Sequence, residues 1–143
     1  MNSNIPWIKP SIGKDDFKKI KYVFEKNWFT QGKITESFES LLSSYLNTNV
    51  VVVNNGSSAL MAVLLAHGLK PGDKVVVPSF TFIATASVPK MLGAKVIPVD
   101  IDYETLNITP EIVEKIVKKN KVKIVIVVDI SGSPVDLDAF YKL

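Results

Sequence analysis

The sequence predicts an α/β fold built on a mostly parallel sheet with helices on both faces. Three observations carry that expectation. The strand candidates Val50–Val53, Lys74–Val77, Lys95–Val99 and Lys123–Val128 are nearly continuous apolar runs. Strands of that texture are buried on both faces, as parallel sheets require. From Asn49 onward, strand and helix patterns alternate, which is the order that builds parallel crossovers. Finally, 143 residues that are 47% hydrophobic are enough for one domain-sized core.

The elements follow in order. Residues 1–13 are polar, carry Pro6, Pro10 and Gly13, and read as an arm. Asp15 to Asn27 places Phe17, Ile20, Val23 and Phe24 at helical spacing. The stretch Trp28 to Ile34 breaks that pattern at Gly32, and Thr35 is the expected cap of a second helix with Phe38, Leu41, Leu42 and Tyr45 on one stripe. Residues 1–48 thus form an arm and two helices, and residues 49–143 the α/β part. There, helices are expected over Ser58–Ala66, Phe82–Met91, Pro110–Lys119 and from Leu137. Pro110 suits the first helical position because that N–H has no intrahelical partner.

Composition excludes several functions. Net charge is +3, and the lysines sit beside acids on helices, so they read as solvated faces and not as a nucleic-acid footprint. With no cysteine and a single histidine, the chain has no disulfide framework, thiolate nucleophile or Cys/His metal site. The N-terminus lacks a signal-peptide pattern, and no apolar stretch would span a bilayer. The expectation is a cytoplasmic protein without a membrane or nucleic-acid partner.

One junction suggests chemistry. Val50–Val53 meets Asn54-Asn55-Gly56-Ser57-Ser58 and then a helix. Free amides at a helix start, with the helix dipole, favour an anion. Gly56 would permit close approach, and Ser57 and Ser58 add hydroxyls. The same residues also make an ordinary turn with a serine cap. The lysine of a P-loop and the glycines of a dinucleotide fingerprint are both missing. Phe80 and Phe82 follow the next strand at its C-terminal end, where open α/β sheets bind ligands. A ring there either stacks on a flat cofactor or belongs to the core.

Other constellations read as structural. Asp100, Asp102 and Glu104 lack the glycine of an EF-hand loop and read as a surface turn. Asp136 and Asp138 sit at a helix start, His67 at a helix end, and Trp7 and Trp28 read as packing anchors.

Five ordered blocks, "WFTQGKITESFESLLSSYL", "VVNNGSSAL", "PGDKVVVPSFTFIATASV", "LGAKVIPVDIDYETLNITPE" and "DISGSPVDLDAF", resemble the DegT-type family of pyridoxal-phosphate-dependent aminotransferases, which act on keto groups of nucleotide-linked sugars. The resemblance runs from about Ile5 onward and implies the N-terminal part of a fold-type I large domain. It implies that Gly56, Ser57 and Ser58 hold the cofactor phosphate, that Phe82 stacks on the pyridine ring, and that Thr30 and Gln31 lie near the substrate. It further implies a nucleotide-sugar substrate for glycan precursor synthesis, glutamate as amino donor and a homodimer sharing its sites.

The resemblance also shows what to expect outside the match. The Schiff-base lysine and the acid facing the pyridine nitrogen lie beyond Leu143, so no catalytic residue is assigned and residues 1–143 alone are expected to be inactive. Three strands that separate the first strand from the fourth are absent, so an unstable or self-associating chain is expected. Ser57 stands where the family often has Thr, and Asp129-Ile130-Ser131-Gly132-Ser133-Pro134 stands where it commonly reads His-Leu-Tyr-Gly-Gln-Pro. The alternative is a non-catalytic remnant, or half of a split enzyme, acting as a binding or pairing module.

Overall fold

The computed structural model describes Pro6 and residues 8–143; the expectations for Trp7 and for the start of the arm lie outside the described residues. The chain divides into two compact units, Met1–Val52 and Val53–Leu143.

The first unit holds α1 (Lys14–Lys26) and α2 (Lys33–Leu46). Gly13 starts α1, and its N–H donates to the Asp16 carboxylate at 2.9 Å. Both helices stop at an asparagine in the left-handed region, Asn27 and Asn47, each with φ 52°. Asparagine tolerates that conformation better than most side chains. Gly32, not Thr35, is the N-cap of α2. The helix therefore starts two residues before the expected cap and takes Thr35 into its first turn.

Val50–Val53 is a second correction, because it joins no ladder. Two of its backbone N–H groups are satisfied instead by side chains of α2. Val50 donates to Ser43 Oγ at 3.0 Å and Val52 to Glu39 Oε1 at 2.9 Å. Alternate donors of an extended segment are thus taken by a helix surface. A buried amide must find some partner, and here it is not a strand.

The second unit contains α3 (Gly56–Ala66), β1 (Lys74–Pro78), α4 (Ala84–Met91), β2 (Lys95–Val99), α5 (Pro110–Val117), β3 (Val122–Val125) and α6 (Leu137–Phe140). The sheet order is β2-β1-β3 and both pairings are parallel. β1 is central, and Val75, Val76 and Val77 are fully buried. Successive residues of a strand face opposite ways. Val75 and Val77 accordingly pack with Leu64 of α3 and Val88 of α4. Val76 packs on the other face with Val99, Ile108 and Val113 of α5. Apolar residues at every position of β1 thus serve two cores, which explains the unbroken valine run.

The expected Phe82–Met91 helix begins two residues late, at Ala84. The amides of Thr85 and Ala86 reach back to Phe82 and Ile83, so Phe82 lies in the tight turn entering α4. Thr109 caps α5 as expected, with Pro110 next. His67 ends α3. Its Nδ1 lies 2.9 Å from the Val63 carbonyl, and a carbonyl only accepts, so Nδ1 carries the proton. Asp102 ties a turn by accepting from the Glu104 and Thr105 amides and the Thr105 hydroxyl. The Thr105 amide, then its hydroxyl, holds the Asp102 carboxyl below its usual range. No helix among the described residues is long and apolar enough to cross a membrane.

Candidate functional site

The mouth of α3 is built from Asn55, Gly56, Ser57 and Ser58. Asn55, not a serine, is the N-cap. Its side-chain oxygen accepts from the Ser58 amide at 2.8 Å. The Gly56 and Ser57 amides precede it in the first turn, where a helix offers no backbone acceptor. The first turn carries no acid, so the positive end of the dipole is not neutralised from within.

Gly56 shows why the glycine matters. Its φ is not in the left-handed region, so the backbone does not require glycine there. A methyl group added at Gly56 would meet nothing within 4 Å. The protein itself therefore does not exclude a side chain. The space in front of Gly56 is free for a group brought in from outside.

The second component is the turn after β1. Pro78 ends the strand, and Phe80 and Phe82 are both exposed, Phe82 at 73%. Phe82 thus takes no part in either core cluster of this unit. Thr81 and Thr85 hydroxyls meet at 2.9 Å across the turn, fixing the backbone that carries the ring. Leu60 and Met61 of α3 and Ala84 and Ala86 of α4 pack against one core cluster, and the two helices pack against each other. The starts of α3 and α4 are thus held by a shared apolar base.

Thr30 and Gln31 belong to the first unit, whereas Gly56, Ser57, Ser58 and Phe82 belong to the second. Thr30 lies along a cleft of about 720 Å³ lined by Tyr22, Trp28, Phe29 and Lys33. The Gln31 carbonyl accepts from the Trp28 indole at 3.0 Å. A side chain at Gly32 would strike that indole at 2.6 Å, so Gly32 is needed where the ring crosses the loop.

Sequence reasoning missed Asn107. It is buried, donates to the Ser133 carbonyl at 2.9 Å and accepts from the Ile130 amide at 3.2 Å. It thereby clamps the segment Asp129–Pro134, in which Asp129 Oδ1 also accepts from the Val135 amide at 2.9 Å. An asparagine beside apolar Ile108 was the available signal, since buried amides are nearly always hydrogen-bonded.

Residues 10–143 match the profile of the DegT/DnrJ/EryC1/StrS aminotransferase family. The chain belongs to this family. Among solved structures it is similar to Spr1654 of Streptococcus pneumoniae, assigned as a sugar aminotransferase. The two share 30% identity at a TM-score of 0.88, over 97% of this chain and 35% of that one. That protein is known in apo, PLP (pyridoxal phosphate) and PMP (pyridoxamine phosphate) forms. The chain also resembles the GDP-4-keto-6-deoxy-D-mannose-3-dehydratase of E. coli, which carries hydrated PLP, at 27% identity and TM-score 0.89, covering 97% and 37% of the respective chains. An aminotransferase from Psychrobacter cryohalolentis matches at 29% identity and TM-score 0.86, covering 96% and 35%. The chain spans about a third of the length of these relatives. The matched part is the portion of a fold-type I transferase that includes β1, β2 and β3.

Proposed function

We propose that this chain supplies the phosphate cradle and ring platform of a PLP-dependent aminotransferase that acts on the keto group of a nucleotide-linked sugar. The observation that carries the reading is the α3 mouth: unpartnered first-turn amides, no acid, and free space before Gly56, in a chain of this family. A phosphate ester fits that donor set. The Gly56 and Ser57 amides and the Ser57 and Ser58 hydroxyls are donors for a dianion. The exposed ring of Phe82 is an apolar platform for a flat heteroaromatic ring. When bound, PLP supplies an electron sink and a carrier for the amino group.

What these residues do is bind and orient. The cradle fixes one end of the cofactor and Phe82 limits its tilt. Proton transfer needs a positioned base, and none of this chain's lysines stands where the family's cofactor-linked lysine is found. We read that lysine, and the acid facing the ring nitrogen, as residues outside these 143. Thr30 and Gln31 are read as substrate-side residues, with glutamate as donor and a homodimer as the assembly of the longer relatives. A second reading, removal of a sugar hydroxyl in place of amination, is favoured by the similarity to the E. coli dehydratase.

The test is a titration of the chain with pyridoxamine 5'-phosphate, whose amine forms no bond to protein lysines, followed by its fluorescence. Saturable binding that is lost for pyridoxamine without phosphate is expected. Equal binding of the two compounds would contradict the phosphate cradle.

A further inference from the structure

The connections at the carboxyl end of the sheet part between β1 and β3. From β1 the chain runs through α4 to β2, on the face where Leu64 and Val88 pack. From β2 it runs through α5, on the opposite face with Val113, across to β3. Phe140 of α6 packs on that second face too. Parallel crossovers share one hand, so a chain on that face moves away from β2. It thus leaves β3 in the direction opposite to the one it takes from β1. Neighbouring parallel strands that part in this way open the crevice in which α/β sheets take their ligands. The turn carrying Phe80 and Phe82 follows β1 and forms one wall. The turn Asp129–Ser133 follows β3 and forms the other.

That second turn does not hold its shape by propensity. Ser131 has φ 52° and Gly132 φ 80°, two successive residues in the left-handed region, where a serine is disfavoured. Inside the turn, the Gly132 amide donates to the Asp129 carbonyl at 3.1 Å and the Ser133 amide to the Ile130 carbonyl at 2.9 Å. Asn107, on the connection from β2 to α5, holds the turn at both ends. Its Oδ1 accepts from the amide of Ile130, and its Nδ2 donates to the carbonyl of Ser133. A carboxylate or a hydrocarbon of the same size could not do both. Asn107 is itself fixed. Its carbonyl accepts from the Asp102 amide at 2.8 Å, and the next residue, Ile108, is buried in the core beside Val76 and Val113.

We propose that Asn107 is a positioning residue for the ligand site. It sets the Asp129–Ser133 turn as the β3 wall of the crevice, across from the Phe82 wall, and so confines the ring end of the bound cofactor. The inference rests on the cofactor reading above. Among the described residues, the hydrogen bonds of the Asn107 side chain go to the Asp129–Ser133 turn and not to α3, so its loss should weaken the hold on the ring and spare the phosphate.

The experiment compares the affinity of the chain for pyridoxamine 5'-phosphate and for inorganic phosphate, each variant being checked for a cooperative melt. Asn107→Asp keeps the acceptor for Ile130 and sets a second acceptor against the Ser133 carbonyl. Gly132→Ala loosens the same turn without altering Asn107: a Cβ there meets nothing within 4 Å, but the φ of 80° disfavours it. Each variant is expected to lose about fivefold in pyridoxamine 5'-phosphate affinity, the size of one hydrogen bond, with inorganic phosphate affinity unchanged. The double variant is expected to lose less than the product of the two. If Asn107→Asp does not melt cooperatively, Gly132→Ala decides alone. Unchanged pyridoxamine 5'-phosphate affinity, or equal losses for both ligands, would overturn the positioning role and leave the phosphate cradle standing. An unaltered chain that binds pyridoxamine as tightly as its phosphate would instead sink the cofactor reading, and this inference with it.

Discussion

Two helices of the second unit begin in opposite ways. At α5, Thr109 caps the start and accepts from the Ile112 amide at 3.5 Å, Pro110 removes one amide altogether, and Glu111 sits in the first turn. At α3, Asn55 satisfies one amide, Gly56 contributes no side chain, and no acid is present. The α5 start is closed further: Pro110 deletes one donor, the Thr109 side chain takes another, and the dipole meets its own carboxylate. The α3 start has donors and positive potential left over. A helix start that serves only the fold tends to satisfy itself, and one that is left unsatisfied beside free space is suited to an outside anion.

Substitutions at the two starts should therefore separate binding from stability. The largest effect is expected from Gly56→Val. A Cβ there has open space, so the melting temperature should hold, while pyridoxamine 5'-phosphate affinity falls by about tenfold or more, because charge-assisted bonds are each worth about 1.5–3 kcal/mol. Isothermal titration and a thermal melt on one sample decide it. Thr109→Ala should show the reverse, with about 1 kcal/mol of stability lost and unchanged affinity, as read by denaturant melts and the same titration. Phe82→Ala should cost a few-fold in affinity, in line with about 0.5–1.5 kcal/mol for an aromatic stack. It should cost little stability, since the ring is exposed.

The smallest effect distinguishes the two starts by pH. The Thr109 hydroxyl, then the Glu111 backbone amide, hold the Glu111 carboxyl below the usual 4.5. A carboxyl with a depressed folded value stabilises the fold above its unfolded value. That contribution is lost as pH falls through the lower folded value. The α5 start should thus loosen in acid below about pH 4.5, and Thr109→Ala should raise the Glu111 titration point, as carboxyl NMR would show. The α3 mouth has no acid and should show no such step of its own.

Much of this arrangement was legible from residue order. The doubly buried β1, the helices on both faces and the Thr109-Pro110 start follow from valine runs and cap chemistry alone. Gly56, Ser57 and Ser58 stood out where strand texture, a glycine turn and a helix pattern came together, and the family resemblance, not residue order, assigned their roles and singled out Phe82. The misses have physical causes. Val50–Val53 has strand texture, yet Ser43 and Glu39 of the preceding helix take two of its amides. Asn55 displaced the serines as cap because it too is a strong capping side chain, and composition does not rank the two. The clamp made by Asn107 was not legible because its partners, Ile130 and Ser133, lie more than twenty residues away. Phe82 sits outside its expected helix because the chain tightens before α4 begins.

The central claim is that the start of α3 holds a phosphate ester. Its most direct test is amide NMR of the chain during addition of pyridoxamine 5'-phosphate. The account expects the largest saturable shifts at the Gly56, Ser57 and Ser58 amides, ring-current shifts near Phe82, and still signals at Thr109–Glu111. Shifts confined to lysine-rich surfaces, or equal at both helix starts, would contradict it.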